Sequence, residues 1–242
     1  MTRGILLDIE GTTTPIRFVY ETLFPYARKR TKAFLNERAN DAEVRETILA
    51  LRAERAVDAA HDLTVPVWTG PDAVVTYVHW LMDRDRKSTA LKRMQGLIWQ
   101  EGYRTGELRG EVFPDVPPAL ELWSRNAMDV RIFSSGSVLA QKLLFSTTPA
   151  GDLTRFLRGY YDTEIGAKND PASYARIAGE FGLPAAEILF VSDVTRELDA
   201  ALAAGLQTLL AVRPGNPAQP SSKHHQVTSL DEILLPPTSR RM

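Results

Sequence analysis

Apolar positions along the chain follow two rhythms. Residues 4–8, 130–134, 159–162, 188–192 and 208–212 are short β-favouring runs, and Ile5-Leu6-Leu7 and Ile188-Leu189-Phe190-Val191 are apolar at every position. Such runs predict strands covered on both faces, with the helix-period stretches between the later ones as the cover. The fold class is therefore α/β: a Rossmann-like parallel sheet with helices on both faces. Four of the five runs follow residue 129, and the long stretch before them reads as helix over 22–36, 42–60, 72–82 and 89–103. A crossover helix needs far fewer residues. The pattern predicts an all-helical domain inserted at 20–112, set as a cap over the strand ends, with 1–19 and 113–242 forming the α/β core. Pro15 marks one boundary; Pro114, Pro117 and Pro118 mark the other. Segment 213–222 is turn-rich, His224 and His225 fall in a polar loop, and Pro236-Pro237 opens a frayed terminus.

Composition narrows the function classes. The 242 residues carry 29 Lys plus Arg against 30 Asp plus Glu, a net charge of −1, with no block of like charge. That balance argues against a nucleic-acid partner. No apolar run approaches the roughly 20 residues that cross a bilayer, which argues against a membrane partner. Asp8 interrupts the first apolar run too early for a signal peptide, so a cytoplasmic location is expected. With no cysteine there is no disulfide, no thiolate nucleophile and no cysteine-bound zinc. Catalysis would have to use carboxylates, hydroxyls, lysine or histidine.

In an open parallel sheet, ligands bind beyond the carboxyl ends of the strands. The first strand ends in Asp8-Ile9-Glu10-Gly11-Thr12-Thr13, where an extended chain would point both carboxylates the same way. The second ends in Ser134-Ser135-Gly136-Ser137, whose hydroxyls and amides could cradle a phosphate or simply cap a helix. Lys168 precedes a proline-started helix. Ser192-Asp193 ends the fourth strand, where either residue could cap the helix that follows. Each feature alone has a structural use, as turn acid, helix cap or solvated lysine. Their order, each at its own strand end or helix start, points to one site. Asp8, Glu10 and Asp193 crowded at one sheet edge would be driven toward protonation unless Lys168 and a hard divalent cation compensate them. Carboxylates, a backbone carbonyl and phosphate oxygens suit Mg²⁺.

These motifs resemble those of the haloacid dehalogenase-like phosphohydrolases: an Asp-x-Asp-x-Thr motif, then Ser/Thr, Lys and a terminal acidic motif. Glu10 stands where most members carry a second Asp. With Gln141-Lys142-Leu143-Leu144-Phe145, Asp85-Arg86-Lys87-Ser88 and Val212-Arg213-Pro214-Gly215-Asn216, the resemblance narrows to the enolase-phosphatases, the acireductone synthases of methionine salvage. The resemblance implies Asp8 as nucleophile, Glu10 as general acid/base, Ser134, Ser135 and Lys168 as phosphate-binding residues, and Mg²⁺ held by Asp8, the Glu10 carbonyl and Asp193. It implies a small phosphorylated diketone, 2,3-diketo-5-methylthiopentyl-1-phosphate, as substrate and an acireductone plus phosphate as products. The enolising base stays open among Glu10, Lys168 and a cap residue. Phe18, Tyr20, Trp68, Trp80, Trp99 and Tyr103 could either wall the methylthio tail or form helical core. A monomer is expected. The competing readings are a phosphatase of the same superfamily acting on another small ester, and a receiver-like phosphoacceptor module. A dehalogenase is disfavoured by Glu10, an NTPase by the missing glycines before Arg86-Lys87-Ser88-Thr89, and an α/β-hydrolase by the missing Gly-x-Ser-x-Gly.

Overall fold

The computed structural model describes residues 1–217 and 223–233. The expected loop over 213–222 is thus described only as far as Pro217, and the expected frayed terminus at Pro236-Pro237 lies outside the described residues. The chain divides into two compact units, Met1–Val19 with Arg109–Met242, and Tyr20–Leu108. The first unit carries six strands: β1 (Gly4–Leu7), β2 (Asp129–Phe133), β3 (Gly159–Tyr161), β4 (Ile188–Ser192), β5 (Gln207–Ala211) and β6 (His225–Val227). They form one sheet in the order β3-β2-β1-β4-β5-β6, every pair parallel. Every residue of β1 and β4 is buried. Successive side chains point to opposite faces, so these strands are covered on both. The strand order reverses at β1, where Leu7 pairs with Ile132 on one side and Val191 on the other. A doubly wound sheet opens its binding crevice at that switch point.

The second unit is helical: α1 (Phe24–Arg38), α2 (Ala42–Ala59), α3 (Ala73–Asp83) and α4 (Thr89–Thr105). A π-helical turn over Phe18–Leu23 leads into α1, which takes Pro25 in its first turn, where the missing N–H costs nothing. Ser88 caps α4 by accepting the Leu91 N–H at 2.9 Å, and Gly106 closes it in the left-handed conformation. Leu51, Tyr77, Val78, Leu81, Met94 and Ile98 make its core. Of the aromatics expected as wall or core, Trp80 packs in this core with Trp68 and Trp99 against it, while Tyr103 is buried and Tyr20 is exposed; Phe18 is buried in the sheet unit. The junction falls at Leu108–Arg109, ahead of the prolines. Gly110 already packs on the sheet unit, where its N–H donates to Thr147 and an added Cβ would lie 1.9 Å from the Leu144 carbonyl oxygen.

The sheet unit's helices are α5 (Val116–Arg125), α6 (Val138–Ser146), α7 (Pro171–Phe181) and α8 (Thr195–Ala203). Tyr174, Ile177 and Phe181 of α7 and Leu198 of α8 share a core with Leu6, Phe133 and Phe190 of the sheet. β6 is unexpected: His-Gln-Val is too short and polar to read as a strand. His224 does not lie in a solvated loop. It is buried, with Nδ1 2.7 Å from the Thr208 hydroxyl and Nε2 3.2 Å from Asp199. Among the described residues no helix is long and apolar enough to cross a membrane.

Candidate active site

β1 stops at Leu7, one residue earlier than expected, and Asp8 opens the turn beyond it while its N–H still donates to Val191 of β4. The turn is tight. The Ile9 carbonyl accepts the N–H groups of Thr12, Thr13 and Thr14, and the Thr13 hydroxyl donates to the Asp8 carbonyl at 3.1 Å. Gly11 has φ +71°, and a Cβ there would lie 2.2 Å from Asp193 Oδ2, so the backbone of the β1 turn packs directly on the Asp193 carboxylate. Glu10 is half-buried and bridges to Thr14 in the same turn.

Lys168 is no solvated loop lysine. Its Nζ lies 2.6 Å from Asp8 Oδ1 and 2.6 Å from Glu197 Oε2, and its carbonyl accepts the Tyr174 hydroxyl at 2.7 Å. The loop is set by α7: Asp170 caps it through the Ala172 N–H, and Pro171 starts it. Ser192 Oγ sits 3.0 Å from Glu197 Oε2 and 3.4 Å from Asp8 Oδ2, and accepts the Val194 N–H at 3.1 Å. Neither Ser192 nor Asp193 caps α8; the capping position is Val194, with no side-chain bond. Ser192 is turned instead toward the buried carboxylates.

Charge is concentrated here. Burial pushes the Asp193 carboxyl up to about 7, helped by the nearby Asp8 and Glu197, with Lys168 pulling the other way. Burial and then Asp8 push Glu197 up to about 7 as well. Burial works against the Lys168 ammonium, but Asp8 and Glu197 outweigh it and hold the group charged.

At the end of β2, Ser134 is buried, its N–H donates to the Tyr161 carbonyl and its hydroxyl accepts the Gly136 N–H at 3.2 Å. Ser135 is exposed. Capping of α6 falls to Ser137, which accepts the Ala140 N–H. Asp8 and Lys168 are thus in direct contact, Asp193 presses on the β1 turn, and Ser134 and Ser135 occupy the end of the strand beside β1. Glu197 and Ser192 were not expected as site residues. No local signal sets Glu197 apart, because an acid in the first turn of a helix is ordinary there.

Among the described residues no trio of His, Cys, Asp and Glu side chains is grouped to hold a metal ion. The expected donors are two carboxylates and a backbone carbonyl, a set that suits Mg²⁺ because that ion keeps several waters. The residues fit a cation on charge: Asp8 and Glu197 add to the burial that pushes Asp193 toward protonation, and Asp8 does the same to Glu197, despite Lys168.

Residues 2–205 match the haloacid dehalogenase-like hydrolase family. The chain is 49% identical over 231 residues to Enolase-phosphatase E1 of Synechococcus elongatus, covering 95% of this chain and 96% of that one. It is 45% identical over 233 residues to Enolase-phosphatase E1 of Pseudomonas aeruginosa, covering 96% and 98%. Among solved structures it resembles the UTR4 protein of Saccharomyces cerevisiae, with TM-score 0.76, 34% identity and 95% and 98% coverage. With the switch-point carboxylate and its buried lysine, these matches lead to one conclusion: the chain belongs to the haloacid dehalogenase-like hydrolases and, within them, to the enolase-phosphatase family.

Proposed function

We propose that this protein is a Mg²⁺-dependent enolase-phosphatase that converts the phosphorylated methylthio diketone to an acireductone and phosphate. The observation that carries the reading is Lys168 Nζ bridging Asp8 and Glu197 at 2.6 Å beyond the switch point of the sheet. Asp8 is the nucleophile: its Oδ2 attacks phosphorus and gives an aspartyl-phosphate that water then hydrolyses. The Lys168 ammonium pairs with Asp8 and offsets the charge gathering on the transferring group. Glu10 protonates the leaving oxygen and then draws a proton from the attacking water. Ser134 and Ser135 hold phosphate oxygens. Asp8, the Glu10 carbonyl and Asp193 would hold Mg²⁺, which supplies neutralisation of the phosphate and polarisation of the substrate carbonyl. Glu10 and Lys168 remain the two candidates in this unit for the enolising base. The helical unit is proposed as the family's inserted cap domain. The protein acts, on this reading, as a cytoplasmic monomer with a small-molecule substrate and no nucleic-acid or membrane partner.

The test is simultaneous measurement of phosphate and of the ultraviolet absorption of the enediol when the diketone phosphate is added. Continuous production of both is expected, abolished by EDTA and restored by Mg²⁺. Phosphate without the enediol would leave a plain phosphatase, and release stopping at one equivalent would mark a phosphoacceptor. Undiminished turnover in EDTA would remove the metal from the reading.

A further inference from the structure

The turn after β5 grips the β1 turn from the side opposite Lys168. Arg213 is buried; its Nε donates to the Thr12 carbonyl at 3.0 Å, and its Nη1 donates to Asp115 Oδ2 at 2.7 Å and to the Thr228 carbonyl at 2.9 Å. Asp115 in turn accepts from the Ser229 hydroxyl and the Leu230 N–H, so the guanidinium is fixed by two further segments. Three residues on, Asn216 Nδ2 donates to the neighbouring carbonyl, Gly11, at 2.8 Å and to Asp193 Oδ2 at 3.1 Å. The Asn216 N–H closes the turn on the Arg213 carbonyl, with Gly215 at φ +87° making the bend. Gly11 has no room for a Cβ because Asp193 and Asn216 fill it, at 2.2 and 3.0 Å.

From these contacts we infer that Arg213 and Asn216 are positioning residues for the site, a clamp that holds two successive carbonyls of the β1 turn and one oxygen of Asp193 in a single register. Asn216 is the link between the two strand ends. Its amide satisfies one Asp193 oxygen, which fixes the carboxylate's rotation. Arg213 holds Thr12, and through the backbone the spacing from Asp8 to the Glu10 carbonyl. Neither residue touches the substrate in this account. The inference rests on the magnesium reading above, and it concerns metal affinity before it concerns turnover.

The experiment is calorimetric titration of Mg²⁺ alone into the wild-type protein, Asn216→Ala, Asn216→Asp and Arg213→Lys, beside melting temperature and the kcat and KM for phosphate release. Outer-shell partners of metal ligands typically carry about 10- to 100-fold in affinity, and a loss of at least about tenfold is expected for Asn216→Ala. Asn216→Asp keeps the volume but replaces the donor with an anion facing Asp193, so it should lose more than Asn216→Ala. Arg213→Lys keeps the charge near Asp115 and gives up the planar grip on Thr12, so kcat should fall with KM little changed. If wild type binds no Mg²⁺, the magnesium reading fails. Should wild type bind it and the Asn216 variants bind it equally, the clamp is refuted. A loss that merely tracks a lower melting temperature, with Asn216→Asp no worse than Asn216→Ala, would also overturn it, because a space-filling role needs no donor.

Discussion

In the helical unit, Lys32 pairs with Asp72 and Arg93 with Glu46 at 2.7 and 2.8 Å, and all four side chains stand about half in solvent. In the sheet unit, Lys168 lies between Asp8 and Glu197 at similar distances with all three side chains at most 15% exposed. Geometry alone does not separate these pairs; solvent does. Exposed pairs contribute about 0–1 kcal/mol, and burying a pair costs several kcal/mol of desolvation that apolar residues of the same size would avoid. The helical unit spends its interior on Leu51, Tyr77, Met94 and their neighbours. The sheet unit keeps a lysine and three carboxylates beyond its strand ends, which is a poor way to gain stability and a good way to hold charge in place for a phosphoryl group.

The contrast can be broken most forcefully at the nucleophile. Asp8→Asn keeps the size of the buried side chain and should cut phosphate release by about 10⁴-fold or more while circular dichroism stays that of the wild type; retained turnover would move the chemistry elsewhere. Lys168→Met comes next. It removes the ammonium that bridges Asp8 and Glu197, and turnover should fall about 10²–10³-fold, the usual scale for losing one electrostatic contact to a reacting group. In the helical unit, Leu51→Ala should act on stability instead, by about 2–5 kcal/mol in denaturant unfolding, through the cavity it leaves. Lys32→Ala should be nearly silent, within about 0.5 kcal/mol by the same unfolding measurement. A large effect there would mean that exposed pairs carry more than their solvation allows.

Much of this arrangement was legible beforehand. β1 and β4 announced themselves because residues buried on both faces must be apolar in succession, β2, β3 and β5 as short β-favouring runs, and helices α2 and α4 because their apolar positions recur every third or fourth residue. β6 was not legible: three residues at a sheet edge need not be apolar, and His224 is buried by hydrogen bonds to Thr208 and Asp199 rather than by hydrophobicity. The π-helical turn at Phe18–Leu23 gave no pattern either. Asp8, Lys168 and Asp193 could be picked out because each follows a strand or starts a helix in a sheet whose strand ends bind ligands. Glu197 and Asn216 could not, since an acid in a first helical turn and an asparagine in a proline-glycine turn are ordinary where they stand.

Local composition, then, determined the element types, the parallel sheet and the catalytic candidates, because burial and turn chemistry act between near neighbours along the chain. Tertiary structure alone decided which groups share one pocket. Lys168 reaches Asp8 across 160 residues and Asn216 reaches Gly11 across 205. Contacts at such separation leave no periodic trace, because what selects them is the stacking order of the strands and the charge that must be answered once their ends meet.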